Sequence, residues 1–216
     1  IVRGLDNIVF IAIITNNLPD ASQSKARKIG LLLAMGTRIA LVVAITWVMR
    51  LTAPLFTIME LTISGRDLIL LGGGLFLIAK STFEIHDKIE HRPHADAVRK
   101  ALTFGAAITQ IALLDIIFSL DSVITAVGMV GQIWIMVSAV IAAVLVMMLF
   151  ADTVSRFVHR HPTIQMLALS FLILIGVFLV AEGLGKHIDR GYIYFAMFFS
   201  LLVEFLNMRM RRASSS

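Results

Sequence analysis

The chain has no cysteine. That excludes disulfide frameworks, thiolate metal sites and thiol nucleophiles. It is also poor in charge: Asp, Glu, Lys and Arg make up 15% of its 216 residues, where a soluble domain carries about 25%. It lacks a Walker motif, a dinucleotide fingerprint and a hydrolase triad. The one glycine run, Gly72-Gly73-Gly74, has no following Lys-Ser/Thr and lies in an apolar segment, so it reads as small residues at a helix contact and not as a phosphate loop. With no nucleophile–base pair at usable spacing, neither an enzyme nor a cofactor is expected. No signal-peptide n-region or cleavage site is evident, so an uncleaved N-terminal helix is the simpler reading.

What is present is apolar surface. Hydrophobic residues make up 58% of the chain and mean hydropathy is +0.91. A soluble protein of this size could not bury so much. About 20 mostly apolar residues cross a bilayer as a helix. Candidate spans lie near 1–18, 29–49, 67–81, 101–126, 132–151, 165–183 and 191–208. The first is read as truncated, because the chain opens at Ile1 without Met. The expected fold is thus an all-α membrane protein of seven transmembrane helices, forming one domain over 1–216.

Basic residues sort by side. Lys25, Arg27, Lys28, Lys88, Arg92, Arg99, Lys100, Arg156, Arg160, Arg209, Arg211 and Arg212 fall after spans one, three, five and seven, whereas Arg50, Arg66, Lys186 and Arg190 fall on the other side. The richer side is expected to be cytoplasmic, with the N-terminus outside and the C-terminus inside. The pI near 10.0 is then a topology signal and not a nucleic-acid footprint. The expected environment is the bacterial inner membrane, and the lipid bilayer is the first expected partner.

Two stretches recur. Gly4-Leu5-Asp6-Asn7-Ile8 resembles Ser119-Leu120-Asp121-Ser122-Val123, and Gly74-Leu75-Phe76-Leu77-Ile78-Ala79-Lys80 resembles Gly176-Val177-Phe178-Leu179-Val180-Ala181-Glu182. Matched order predicts two three-span halves, about 1–81 and 101–183, with a final helix at 191–208. An odd number of spans per half makes the halves inverted, an arrangement that places transporter sites near the midplane.

Asp6, Asp115 and Asp121 sit in strongly apolar surroundings. A charge at the bilayer centre costs at least ~2.5–3.5 kcal/mol, so such residues face an interior site or a partner. Asp115, Ser119 and Ser122 follow i, i+4, i+7 spacing and share a helix face; Asp121 is about 100 degrees from Ser122, on its flank. Gln110 lies a little over one turn before Asp115. Asn7 and Ser122 are the repeat-equivalent neighbours of Asp6 and Asp121. The candidate metal ligands are therefore Asp6, Asn7, Asp115, Asp121 and Ser122, an all-oxygen set that suits a hard divalent cation such as Mn²⁺, Mg²⁺ or Ca²⁺. The bland alternative is interhelical pairing, with Arg38 and Lys80 neutralising two of the carboxylates and Glu182 pairing with Lys80. Glu182 and Glu204 sit near helix ends, and Asp67 reads as a helix N-terminal charge. The mixed-charge run from Glu84 to Asp96 reads as a solvated linker, and Asn16-Asn17-Leu18-Pro19 as a turn.

Gly-Leu-Asp-Asn-Ile in span one and Asp-Ile-Ile-Phe-Ser-Leu-Asp-Ser-Val-Ile-Thr-Ala-Val-Gly in span four resemble the TerC family of integral membrane proteins. So do the stretches at 63–70, 166–174 and 191–200. The resemblance covers nearly the whole chain and implies a seven-helix member of the lysine-exporter superfamily, in the branch with the membrane domain alone. It implies tellurium resistance or manganese export from the cytoplasm. It also places the family's acidic positions on Asp6, Asp115 and Asp121, with Asn7 beside the first. The family has a Glu just before the position of Ile1, and an apolar residue where Arg3 stands here. Relatives with cytoplasmic appendages carry them after span seven; none is expected within a chain read as ending at Ser216. A divalent-cation exporter leads, with the metal ion as cargo. The rivals are an amino-acid-type exporter that uses Arg38 on a substrate carboxylate, and a non-transporting component of a tellurite-stress complex. Homo-oligomers are compatible with each.

Overall fold

The structure is a computed structural model, described here for residues 10–15, 18–58, 61–90, 103–129, 132–186 and 188–213. It is built from helices. The first, α1, covers 10–15, and all six of its side chains are buried. A helix that is apolar all round belongs in a core. Thr15 is accommodated there because its Oγ1 donates to the Ile11 carbonyl at 2.8 Å. Then follow α2 (Asp20–Val43), a short α3 (Ile45–Arg50) and a two-stranded hairpin of β1 (Pro54–Ile58) and β2 (Leu61–Ser64). The remaining helices are α4 (Gly65–Ile89), α5 (Phe104–Met129), α6 (Ile133–Arg160), α7 (Pro162–Gly183) and α8 (Arg190–Ala213). Among the described residues, five helices (α4 to α8) are long and apolar enough to cross a membrane.

Helix ends follow local chemistry. Ser64 caps α4: its hydroxyl accepts from the Asp67 amide, while the Asp67 carboxylate accepts from the Ser64 amide at 2.9 Å. This reciprocal box satisfies two otherwise orphaned donors and uses Asp67 as the expected N-terminal charge. Pro162 opens α7, where its missing N–H costs nothing. At the other end Gly185 takes φ 73°, and the amides of Gly185 and Lys186 return to the carbonyls of Glu182 and Ala181 at 3.0 and 2.9 Å. Such a left-handed cap calls for glycine.

Several helices run past their apolar stretches. α2 begins at Asp20, so Lys25, Arg27 and Lys28 lie in its first turns and not in a loop. α4 continues to Ile89, which turns the first half of the expected linker, Glu84 to Ile89, into helix. Between the expected spans 29–49 and 67–81, the strands β1 and β2 pair, and the Arg66 amide donates to the Leu51 carbonyl at 3.0 Å where α4 begins.

Packing is dominated by α4 against α7, and by α2 against α5 and α6. α4 and α7 are antiparallel. Gly183 lies against Asp67 and Leu71 at one end, and Lys88 donates to Gln165 at 2.7 Å at the other. At the crossing the backbones nearly touch: a Cβ on Gly74 would fall 2.6 Å from the Gly176 carbonyl oxygen, and one on Gly176 would fall 2.9 Å from that of Gly74. Small residues permit such approach, and dispersion between helices in lipid rewards it. Gly73 likewise admits Ile117 of α5. The expectation of a small-residue contact thus holds for Gly73 and Gly74, while Gly72 has open space beside it.

The outer surface is apolar, as a lipid-facing surface must be. No residue of the apolar window of α8 is buried, and Phe195, Phe198 and Phe205 point outward. Trp134 and Tyr192 are both exposed, at the starts of α6 and α8. Those starts share the end of the bundle that carries the hairpin, the position of an interfacial aromatic belt.

Candidate functional site

α5 carries the central polar residues. Asp115 is only 3% exposed. Its Oδ1 accepts from Arg38 Nε at 3.1 Å and Arg38 Nη2 at 2.8 Å, and its Oδ2 accepts from the hydroxyls of Thr37 at 2.8 Å and Ser119 at 3.2 Å. Thr37 and Arg38 are neighbours on α2, and the contact of Gly30 with Ile111 sets the depth at which the two parallel helices meet. The carboxylate is thus held by one guanidinium and two hydroxyls, an arrangement that repays the desolvation of both charges. Of the expected pairings, Arg38 with a span carboxylate forms among the described residues.

Ser119 sits on the Asp115 face, as its spacing requires. Ser122 follows the same phase, but its hydroxyl donates back to the Phe118 carbonyl at 2.6 Å, with Ser119 O at 3.2 Å. That local bond is common for Ser in helices. The backbone of Asp121 is helical within α5; its side chain, like Asp6 and Asn7 as a whole, lies outside the described residues. By helical phase, position 121 is about 120 degrees from position 115 and about 20 degrees from position 110. α5 therefore has two polar faces. One, with Asp115 and Ser119, meets α2. The other runs from Gln110 past Ile117, which abuts Gly73 of α4, to position 121. Among the described residues no group of three or more His, Cys, Asp or Glu side chains gathers at metal-binding distance.

Lys80 and Glu182 do not meet. Glu182 accepts from Arg66 at 3.1 Å, and Lys80 reaches Glu84 at 3.5 Å. The reason is the antiparallel crossing. Each residue lies six positions beyond its own glycine, Gly74 or Gly176, so the two diverge to opposite ends of the bundle, about 18 Å apart along the axis. Arg66, at the start of α4, is the cation that comes level with Glu182. A further network ties α2 to α6: Arg27 donates to Asp152 at 3.0 Å and to the Ser155 hydroxyl at 3.0 Å.

One polar group escaped the reading of residues alone. Lys80, Ser81 and Glu84 of α4 line a cleft with Gln110 of α5, against α1 and α7. The available signal was the i, i+4 charge pair inside an otherwise apolar segment; what placed Gln110 opposite it was the α4–α5 register.

A helical bundle with an apolar exterior, helices of membrane-crossing length and buried interhelical ion pairs defines a polytopic integral membrane protein. The family is settled by comparison. The sequence profile of the Integral membrane protein TerC family matches residues 1–216, and the chain belongs to that family. It is 53% identical over 213 residues to a UPF0053 protein of Haemophilus influenzae, covering 98% of this chain and 90% of that one. It is 55% identical over 208 residues to the UPF0053 inner membrane protein YgdQ of Escherichia coli, covering 96% of this chain and 87% of YgdQ. To the UPF0053 inner membrane protein YoaE of Escherichia coli it is 49% identical over 213 residues, covering 98% of this chain but 41% of YoaE. No solved structure matches.

Proposed function

We propose that this chain is a transporter that exports a hard divalent cation, manganese foremost, from the cytoplasm through a midplane site formed by Asp6, Asn7, Asp115, Asp121 and Ser122. The observation that carries the reading is the recurrence of a Leu-Asp-polar motif at 5–7 and 120–122, in two apolar segments of a TerC-family chain. Intramembrane Asp is expensive and marks ion pathways. The oxygen donors suit hard cations. The resemblance that implies manganese export and tellurium resistance points the same way.

The reciprocal approach of Gly74 and Gly176 supports two inverted three-helix halves, about 1–81 and 101–183, rocking against each other, with the helix at 191–208 appended. Asp115 takes part by exchange: metal binding there displaces Arg38. An amino-acid-type exporter would use Arg38 on a substrate carboxylate; its two bonds to Asp115 favour the metal reading. The names of the relatives and the Lys/Arg bias support the inner membrane, with the N-terminus outside. A carboxylate must shed its proton to bind metal, so proton coupling fits this site.

The test is the manganese content of cells overproducing the chain. The intact protein lowers it, and Asp6→Asn and Asp121→Asn at equal expression do not. Unchanged manganese with the intact protein overturns the reading, and leaves a stress-complex component without transport as the better account.

A further inference from the structure

Lys80 and Glu84 stand in the second half of α4, inside a helix of membrane-crossing length. They do not face lipid together. Glu84, its side chain 13% exposed, lines a cleft with Lys80, Ser81 and Gln110, walled by Phe10 and Ile13 of α1 and Leu169 of α7. The cleft has room for about one water molecule. Three features set it apart from a structural ion pair. The Lys80–Glu84 contact spans 3.5 Å, longer than the ordinary charge-assisted bond. Lys precedes Glu at i, i+4, the weaker order for a helix. Across from them, Gln110 Oε1 is buried with no hydrogen-bond partner among the described residues. An amide oxygen left without a donor is a costly feature of a stability device and an ordinary ligand for a hard cation.

We infer that this cleft is a second cation station, in which Glu84 and Gln110 take a divalent cation in exchange for the Lys80 ammonium. The inference rests on the exporter reading for its cargo. Gln110 lies five residues before Asp115 on α5, so the station sits about 8 Å nearer the end of the bundle that carries Lys88 and Gln165. With no ion bound, Lys80 keeps the cleft neutral. An incoming divalent cation, carrying twice the charge, outcompetes it for Glu84, and the apolar walls strengthen that attraction by excluding water. Lys80 then swings aside and returns as the ion leaves, which prevents the station from holding its cargo too tightly.

The test is Mn²⁺ binding to the purified full chain in nanodiscs of zwitterionic lipid, with free Mn²⁺ read from its paramagnetic resonance signal. Lys80→Gln is expected to tighten one binding event by about tenfold, the equivalent of about 1.4 kcal/mol. Glu84→Gln removes one bound Mn²⁺ per chain, and Gln110→Leu weakens the same event. The gain in Lys80→Gln is a result that misfolding cannot imitate. Binding of unchanged number and affinity in both Lys80→Gln and Glu84→Gln overturns the inference. Glu84-dependent binding in a protein that moves no manganese across vesicles upholds the station and removes the exporter reading. Transport that fails in Asp121→Asn, with binding indifferent to Lys80 and Glu84, does the reverse.

Discussion

Gly74 and Gly176 each lie where a methyl group on the other would strike backbone, and each makes room for the residue four positions beyond its partner, Val180 or Ile78. The contact is reciprocal, each glycine admitting the backbone of the other. It also fixes which charges can meet along α4 and α7.

The first prediction concerns that crossing. Gly74→Ala must push the helices apart, because the obstacle is the Gly176 carbonyl and not a flexible side chain. A loss of about 1–3 kcal/mol is expected, as for other overpacked contacts. Gly176→Ala should cost a similar amount, and the double variant less than the sum, since the first change already opens the gap for the second. Thermal unfolding in detergent measures this. Gly72→Ala, with open space beside it, serves as the control and should leave the midpoint unchanged.

A second prediction separates pairing from ligation at Asp115. Removing one partner of a buried pair leaves an uncompensated charge, so Arg38→Met should destabilise by about 3–5 kcal/mol. Arg38→Met combined with Asp115→Leu should recover most of that loss, because apolar replacement of a buried pair is often neutral. If the double variant is as unstable as Arg38→Met alone, the carboxylate is held chiefly by something other than Arg38.

The third prediction is smaller. Ser64→Ala removes the hydroxyl that accepts from the Asp67 amide and should cost about 1 kcal/mol. Asp67→Asn should cost less, as it keeps an acceptor for the Ser64 amide. A comparison of thermal midpoints decides the order.

How much of this was legible in the residues follows from the physics of each feature. Long apolar runs announce α4 to α8, because the bilayer demands them. The ends of α2 and α4 were not legible, since charged residues such as Arg27 and Lys88 are good helix formers whose partners, Asp152 and Gln165, are remote in sequence. The strands at 54–58 and 61–64 were not legible either, because no Asn-Gly or Asp-Gly signal stands between them. At the site, the i, i+4 relation of Asp115 to Ser119 could be read directly, and so could Arg38 as a candidate partner. The pairing of Glu182 with Lys80 failed because likeness in sequence says which positions correspond, not which ones touch; an antiparallel crossing sends them to opposite ends. The cleft of Lys80, Glu84 and Gln110 depends on the close approach of Gly73 to Ile117, which only the folded chain reveals.

The central claim is that carboxylates at positions 6 and 121 carry a divalent cation across the membrane. The most direct test is manganese flux into sealed vesicles reconstituted with the purified chain, with Asp6→Asn and Asp121→Asn beside it. The account predicts saturable flux from the intact protein and a loss of at least about 10–100-fold in each variant, the scale on which even the outer-shell partners of metal ligands matter. Flux that persists in both variants, or no flux from the intact protein, would contradict it.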